Sequence, residues 1–208
     1  MLLILPKTGT FTFEEKKSKF IGFCAPVKTE QEAKDIIEEI RNANRSASHN
    51  VYAYDLSACN TAFNTVCNTV RFSDDGEPGG TAGMPVLNVF QKTRVTDFVC
   101  VVTRYYGGIQ LGAGGLVRAY TKAAKGAMNA AGPEELVVFK LYKITCTYDQ
   151  FDTVKHRFNQ WGVEILDVSY SGHVEALVKV KKGHEAPFFD GRFYTFAAID
   201  DTDDTTTL

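Results

Sequence analysis

The sequence lacks the features that mark several large classes of protein. Its five cysteines include no C-x-x-C pair, which argues against a zinc site or a disulfide framework. No apolar run approaches the ~20 residues needed to cross a bilayer. The net charge of −2 gives no overall positive field that would favour nucleic acid or membranes. These absences predict a non-membrane protein without a cysteine zinc site or a disulfide framework.

Two further absences concern targeting and redox state. The start, MLLILPKTGT, has too short an apolar run for a signal peptide and lacks a cleavage-like site. The scattered cysteines predict buried free thiols in a reducing compartment. We therefore expect a cytoplasmic protein.

What is present indicates a soluble globular protein. The 208 residues are 44% hydrophobic and 23% charged, enough for one large or two small domains. Residues 1–134 contain 15 basic and 13 acidic residues, whereas residues 135–208 contain 8 and 12. The first half is therefore the better candidate for binding an anionic partner.

The first half alternates strand and helix patterns. Thr29 followed by Glu32 predicts a capping box at the start of the first helix. The continuous apolar run from Phe98 to Val102 predicts a central strand. In chain order we predict a strand in KFIGFCAPV, a helix in TEQEAKDIIEEI, strands in HNVYAYDLSA and NTVCNTVRF around a loop at residues 60–64, a helix in GMPVLNVFQK, a strand in DFVCVVTRYY and a helix ending at Gly132 and Pro133.

The second half predicts a smaller domain that begins at residue 134. A strand in LVVFKLYKITCTY precedes a helix capped by Asp149, and a hairpin then turns near Ser171 and Gly172. Residues 183–196 fit a last helix or loop, residues 197–200 a short strand, and residues 200–208 an acidic tail. The order β-α-β-β-α-β is the ferredoxin-like pattern. The predicted fold class is α+β, with domains at 1–133 and 134–208.

The stretch TRYYGGIQLGAGGLVRAY, residues 103–120, is rich in glycine between a strand and a helix. Gly107 and Gly112 have the P-loop spacing, but Ala113 and Gly114 replace its Lys-Ser/Thr, and no G-x-G-x-x-G fits. Backbone N–H groups at the helix start still attract anions. The alternative is that the glycines serve only the turn and close packing.

Two groups of basic residues are candidates for contact with phosphate. Arg118, Lys122 and Lys125 form one stripe of the following helix, and a different stripe is apolar. Lysines also cluster before the first long strand. Each group is either a solvated surface or a phosphate-contacting patch. The apolar stripe comprises Val117, Tyr120, Ala124, Met128 and Ala131, and the cluster comprises Lys16, Lys17 and Lys19.

The loop RFSDDGEPGGTAG carries three carboxylates, on Asp74, Asp75 and Glu77. They suit Mg²⁺, which binds one or two carboxylates together with waters and phosphates. Alternatively the loop is a turn in which Thr81 caps the next helix. His49 has no G-x-S-x-G serine elbow to accompany it, so a structural role is the alternative to a catalytic one.

Two long motifs, FSDDGEPGGTAGMPVL and VVTRYYGGIQLGAGGLVRAY, together resemble the IMPACT (YigZ) family of predicted translation regulators. KKSKFIGFCAPV and SHNVYAY fit the same pattern in the same order. The match spans about residues 10–130, and residues 135–197 resemble the small second domain of bacterial members. The resemblance implies a left-handed β-α-β domain like those of ribosomal proteins and ribonuclease PH, followed by a ferredoxin-like domain like the last domain of elongation factor G.

The family motif carries over to individual positions of this chain. Gly79 and Gln110 depart from it, standing where serine and lysine are usual. The loss of a lysine weakens the case for phosphate binding at the glycine stretch. The matching positions are His49, Asn50, Asp74, Asp75, Gly76, Glu77, Pro78, Thr81, Gly83, Arg104, Tyr105, Gly107, Gly108, Gly112, Gly114, Gly115 and Arg118.

We therefore expect a non-enzymatic translation regulator that binds RNA or the ribosome and needs no cofactor. One alternative is an enzyme acting on a phosphorylated or nucleotide substrate, with Mg²⁺ at the acidic loop; another is a protein-interaction module. The acidic loop comprises Asp74, Asp75, Glu77 and Thr81. The expected ligand surface comprises Lys16, Lys17, Lys19, His49, Asn50, Arg104, Tyr105, Gly107, Gly108, Gly112, Gly114, Gly115, Arg118 and Lys122.

Overall fold

Two short strands join the N-terminus of the chain to the end of its first unit. The computed structural model describes residues 2–57, 69–137, 139–182 and 192–199. Strand β1 (Leu3–Ile4) pairs antiparallel with Glu134–Glu135, a late strand of the same unit. The chain divides into units Met1–Leu136 and Val137–Leu208. The first unit ends later than the predicted residue 133 because this pairing attaches residues 134 and 135 to the N-terminus.

The first unit is built on a five-stranded sheet. Its strands are β2 Gly9–Glu15, β3 Ser18–Pro26, β4 His49–Asp55, β5 Val70–Ser73 and β6 Phe98–Tyr105. Their order in the sheet is β2-β3-β6-β4-β5, and every neighbouring pair is antiparallel. The predicted helices are all present, and β3, β4, β5 and β6 overlap the predicted strand segments, whereas β2 was not predicted. The remaining elements of this unit are α1 Glu30–Ala43, α2 Gly83–Thr93, α3 Ala113–Ala131 and β7 Glu134–Glu135.

The connection β3-α1-β4 is a crossover. Both strands are antiparallel to β6, which lies between them, so they run parallel to each other. Helix α1 joins them, as a parallel pair requires. The architecture is therefore a mixed α/β unit. The left-handed connection and the likeness to ribosomal proteins and ribonuclease PH stay predictions.

The sheet is covered on both faces. Ala33 and Ile37 of α1 pack against Val99 and Val101, while α2 and α3 pack on the opposite face. Helix α3 lies so close to β3 that a Cβ at Gly22 would overlap the carbonyl oxygen of Ala123. The small residues Gly22 and Ala123 permit this approach.

One prediction for α3 is wrong. Val117 was placed on the apolar stripe but is 37% exposed, whereas Leu116 is buried. Leu116 lies one turn before Tyr120 and continues its buried face. Val117, about 100° further round the helix, falls outside the contact with the sheet.

The second unit contains a four-stranded antiparallel sheet of order β11-β8-β10-β9. Helix α4 supplies Phe151, Val154 and Phe158 to its core. The strand order follows the ferredoxin-like pattern, and the predicted hairpin lies at residues 171–173. The expected second helix or loop falls largely on residues 183–191, outside the described chain. The elements are β8 Phe139–Cys146, α4 Tyr148–Trp161, β9 Glu164–Tyr170, β10 Val174–Lys181 and β11 Thr195–Ala198.

The start of α4 corrects a second prediction. Thr147, not Asp149, is the N-cap, and it forms a capping box with Gln150. Both threonine and aspartate cap well, and the end of β8 at Cys146 decides the position. Asp149 lies in the first turn, where its charge favours the helix dipole.

The cysteines in the described part of the chain are buried. Cys24, Cys100 and Cys146 are buried free thiols, as expected. The loop at residues 60–64, Cys59, Cys67 and the acidic tail lie outside the described residues. In the described parts of the chain, the helices are too short or too polar to cross a bilayer.

Candidate functional site

The site is organised around Arg104, at the end of β6. The residue is only 5% exposed, and its guanidinium lies between the rings of Phe20 and Tyr106, 5.5 and 5.3 Å from their centroids. Nη1 donates to Oε1 of Glu77 at 2.5 Å, and Nη2 donates to Oγ of Ser18 at 3.5 Å. Among the described residues, Nε has no hydrogen-bond partner. A buried charge thus retains one unused donor.

Glu77 is the countercharge of Arg104. Its Oε1 also accepts a hydrogen bond from the Tyr120 hydroxyl at 2.8 Å, and Nε2 of His49 lies 3.9 Å away. Burial, followed by the charge of Glu77, raises the pKa of Tyr120 far above its ordinary value. Tyr120 therefore remains a donor, and the last carboxylate of the acidic loop is neutralised inside the unit.

Asp75 anchors the acidic loop to β4 and α1. Its Oδ2 accepts from the Asn50 N–H at 2.6 Å, and its Oδ1 pairs with Arg41 at 2.9 Å. The carbonyl oxygen of Asp75 lies 2.7 Å from Nδ1 of His49. The loop therefore positions the imidazole of His49 beside Glu77.

Asp74 performs the capping role that was predicted for Thr81. Its carboxylate accepts from the N–H groups of Gly80, Ala82 and Gly83, at 2.8, 3.0 and 2.8 Å. The hydroxyl of Thr81 instead donates to the carbonyl of Pro78, at 2.6 Å. The N-cap of α2 is Ala82, which has no side-chain acceptor, so the loop folds back and a preceding residue supplies one.

The three carboxylates of the acidic loop do not converge. Asp74 is engaged by backbone N–H groups, Asp75 by Arg41, and Glu77 by Arg104. Within the described residues, no group of three His, Cys, Asp or Glu side chains could hold a metal ion. The arrangement does not fit Mg²⁺ bound by a shared set of carboxylates. Mg²⁺ at the acidic loop, which belongs to the enzyme alternative, stays a prediction.

The glycine stretch contacts the turn between β2 and β3. Lys16 and Lys17 form that turn with φ of +46° and +62°, a left-handed backbone that glycine or asparagine usually adopts. A Cβ at Gly107 would overlap the backbone of Lys17. Nζ of Lys16 lies 3.5 Å from the carbonyl oxygen of Gln110. Packing therefore requires glycine at 107, and the lysine turn adjoins the glycine loop.

The acidic loop and the glycine loop share one cleft, which we call the loop cleft. Its volume is about 460 Å³, a size typical of small-molecule sites. Arg104, His49 and Glu77 contribute polar groups, and the first residues of α3 complete the wall. Its lining is Ser48, His49, Glu77, Pro78, Arg104, Tyr106, Gln110, Leu111, Gly112, Ala113 and Leu116.

Two expected site residues lie on the other face of the sheet. Because side chains alternate along a strand, Tyr105 points away from Arg104. Its hydroxyl donates to Oδ1 of Asn44 at 2.8 Å. The amide oxygen of Asn50 accepts from Thr103 at 2.8 Å. The structure therefore separates Tyr105 and the Asn50 side chain from the loop cleft.

The basic residues of α3 line a second groove of about 470 Å³. Arg118, Lys122 and Lys125 are exposed there, above Phe11. Nζ of Lys122 lies 4.2 Å from the centroid of the Phe13 ring. Lys19 is exposed on β3. The expected ligand surface is therefore divided: part of it lines the loop cleft, Arg118 and Lys122 line this groove, and Lys19, Asn50 and Tyr105 line neither.

Three residues of the site were not among the predicted site residues. Ser18, Tyr106 and Tyr120 contact or flank the Arg104–Glu77 pair. Tyr120 was predicted as an apolar core residue, and its ring does pack edge-on against Phe20. The sequence does carry a signal for this role of Tyr120, because a tyrosine on a buried stripe has a hydroxyl that usually needs a hydrogen-bond partner.

Comparisons with known proteins agree with this architecture. Residues 16–128 match the Impact N-terminal domain, and residues 144–189 match a domain of unknown function, DUF1949. The chain is 36% identical to IMPACT family member YvyE of Bacillus subtilis over 77% of this chain and 70% of the relative. It is 32% identical to IMPACT family member YigZ of Escherichia coli, over 89% of each chain.

A solved structure supports the fold over nearly the whole chain. A crystal structure of a hypothetical protein, 30% identical in sequence, aligns with a TM-score of 0.61 and covers 96% of this chain and 98% of its own. The alignment therefore extends over both matched regions of this chain. This chain belongs to the IMPACT family.

Proposed function

We propose that this protein is a translation regulator that binds RNA or the ribosome through the groove along α3. We call this groove, with Arg118, Lys122 and Lys125, the basic groove. Membership of the IMPACT family supports a role related to translation. The groove supplies the positive surface that binding to phosphate requires.

The observation that carries the proposal is the free charge in the basic groove. In the described part of the chain, Arg118, Lys122 and Lys125 form no ion pair with a carboxylate, although several other lysines do. Unpaired cations along one helix face remain available to neutralise phosphates. Since the whole chain has a net charge of −2, this local concentration is not a consequence of overall composition.

The floor of the basic groove is apolar. Phe11 lies against Gly126 of α3, and Val117 is 37% exposed beside it. Cations at the rim and an aromatic ring in the floor are the combination found where single-stranded nucleic acid binds, because every base can stack on a ring. We therefore expect affinity for RNA with little dependence on base sequence.

The test is the salt dependence of binding to a single-stranded RNA. For the double variant Lys122→Glu/Lys125→Glu we expect binding to weaken at least about tenfold at moderate salt. Loss of two phosphate contacts should reduce the slope of log K against log salt by about 1.4. The matched control is Arg45→Glu/Lys92→Glu, which makes the same charge change at exposed residues outside the groove.

The control separates local from overall charge. Equal weakening of both double variants would mean that only net charge matters, and unchanged binding by Lys122→Glu/Lys125→Glu would overturn the proposal. Circular dichroism of each variant would verify that the fold is retained.

A further inference from the structure

We infer that the loop cleft is a binding site for a phosphomonoester, whose phosphate binds at the N-terminus of α3. The loop cleft has a different lining from the basic groove, although Arg118 of that groove reaches toward the start of α3, and the inference does not depend on the proposed function. It rests on the start of α3, on Arg104 and on the charges near them.

The N-terminus of α3 opens into the loop cleft without an internal acceptor. Gly112 is the N-cap and has no side chain to accept a hydrogen bond, and the first turn contains no acidic residue. The first helical N–H to find a carbonyl is that of Leu116, bonded to Gly112 at 2.9 Å. The N–H groups of residues 113–115 are therefore available, at the positive end of a 19-residue helix.

Arg104 is the second, independent observation. Its side chain lines the same cleft as Gly112 and Ala113, and the residue is only 5% exposed. Its Nε is buried and unpartnered among the described residues. Native proteins rarely leave a buried donor unused, and such a donor beside a ligand site calls for an acceptor.

Two further cations lie where the helix dipole disfavours them. Nη1 of Arg118 would be 3.6 Å from a Cβ at Gly114, so its guanidinium reaches back to the first turn of α3. Nζ of Lys16 is bonded to the loop at Gln110. Positive side chains near a helix N-terminus are unfavourable unless an anion accompanies them. A phosphate dianion would satisfy these cations and the free N–H groups together.

The rest of the cleft indicates an organic group attached to the phosphate. Tyr106, Leu111 and Leu116 provide apolar walls, and besides Arg104 the polar residues of the lining are Ser48, His49, Glu77 and Gln110. Glu77 is already neutralised by Arg104, so it does not repel an anion as a free carboxylate would. A mononucleotide and the 5′-phosphate end of an RNA strand share this chemistry.

Gly114 allows a sharp test. A side chain there meets only the flexible end of Arg118, and its backbone has no positive φ. Gly114→Asp places a carboxylate on the first turn, where it competes with phosphate and favours the helix. Gly114→Asn has the same shape without the charge. Both variants should therefore fold.

The experiment is titration of the full chain with adenosine 5′-monophosphate, followed by the amide NMR signals of residues 112–115, with adenosine as the unphosphorylated probe. We expect these signals to move with the nucleotide and not with adenosine. Gly114→Asp should weaken binding at least about tenfold, and Gly114→Asn no more than about threefold. Lys122→Glu/Lys125→Glu, whose charges line the other groove, should leave the shifts unchanged.

A second titration compares a short RNA carrying a 5′-phosphate with the same RNA carrying a 5′-hydroxyl. Tighter binding of the phosphorylated strand, with shifts at residues 112–115, identifies an RNA end as a source of the phosphate. Equal binding of the two strands assigns the site to free mononucleotides. Unmoved signals with every phosphorylated probe, equal shifts with adenosine, or equal affinity of the Asp and Asn variants would overturn the inference.

Discussion

Replacing Tyr120 by phenylalanine tests whether the buried Arg104–Glu77 pair is held as the structure indicates. The substitution removes the hydroxyl that donates to Glu77 at 2.8 Å and leaves the ring in contact with Phe20. Hydrogen bonds to charged groups contribute about 1.5–3 kcal/mol, so we expect the free energy of unfolding to fall by about 2 kcal/mol. Loss of one oxygen leaves little cavity to add to this cost.

A double-mutant cycle with Glu77→Gln isolates the interaction. The amide leaves the buried charge of Arg104 without its countercharge, which costs about 3–5 kcal/mol. In that background the Tyr120 hydroxyl donates to a neutral oxygen, and Tyr120→Phe should cost only about 1 kcal/mol. The expected coupling energy between the two positions is therefore about 1 kcal/mol.

The assay is urea unfolding followed by circular dichroism and by fluorescence. Trp161 is the sole tryptophan of the chain and lies in α4 of the second unit, so its signal separates unfolding of that unit from unfolding of the first. Tyr52→Phe is the matched control, since Tyr52 is a half-buried residue whose hydroxyl has no hydrogen bond to a described residue. If Tyr120→Phe and Tyr52→Phe agree within about 0.5 kcal/mol, the assigned network is wrong.

Two other predictions concern the core of the first unit. Gly22→Ala should destabilise it by about 1–3 kcal/mol, because the new methyl group overlaps the backbone of α3. Gly79→Ala, with open space around it, should leave the urea midpoint nearly unchanged, and similar midpoints for both variants would contradict the close packing. Burial raises the pKa of the Cys24 thiol to about 12, and burial also raises the pKa of Cys100. Since unfolded thiols lose their protons near pH 9 while these keep theirs, stability should be complete below that pH and fall above it, by about 1.4 kcal/mol per pH unit for each thiol. Urea unfolding of Cys24→Ala between pH 8 and 11 should show a shallower decline, and parallel curves for variant and wild type would refute the assignment.

Local patterns predicted most elements of the fold. The run from Phe98 to Val102 is apolar on both faces because β6 is covered by helices on both sides. Thr29 caps α1 as predicted, accepting from the N–H of Glu32 at 3.2 Å. The second hydrogen bond of the predicted capping box is not formed as expected, since the Glu32 carboxylate accepts from the backbone N–H of Lys28 rather than from that of Thr29. Such details depend on backbone geometry just outside the helix, where the sequence signal is weak.

The site was predicted in part. The acidic and glycine motifs were identified as belonging together, and the structure brings both to one cleft. Because successive side chains of a strand point to opposite faces of the sheet, Arg104 lines the cleft while the hydroxyl of its neighbour Tyr105 donates to Asn44 on the other face. This alternation is readable from sequence, but which face carries the cleft is not.

The sequence by itself indicated the helices, most of the strands and the glycine-rich turns, because these follow from local periodicity and from glycine, but it did not indicate β2 or the turn that joins β2 to β3. The tertiary structure alone decided that Glu77 neutralises Arg104, that Tyr120 supports that pair and that Asp74 caps α2. The physical reason is distance along the chain. Glu77 and Arg104 are separated by 27 residues, and Glu77 and Tyr120 by 43, so no local pattern records which charge meets which. Only the packing of β6 and α3 on one sheet brings these groups together, and burial then makes their pairing obligatory.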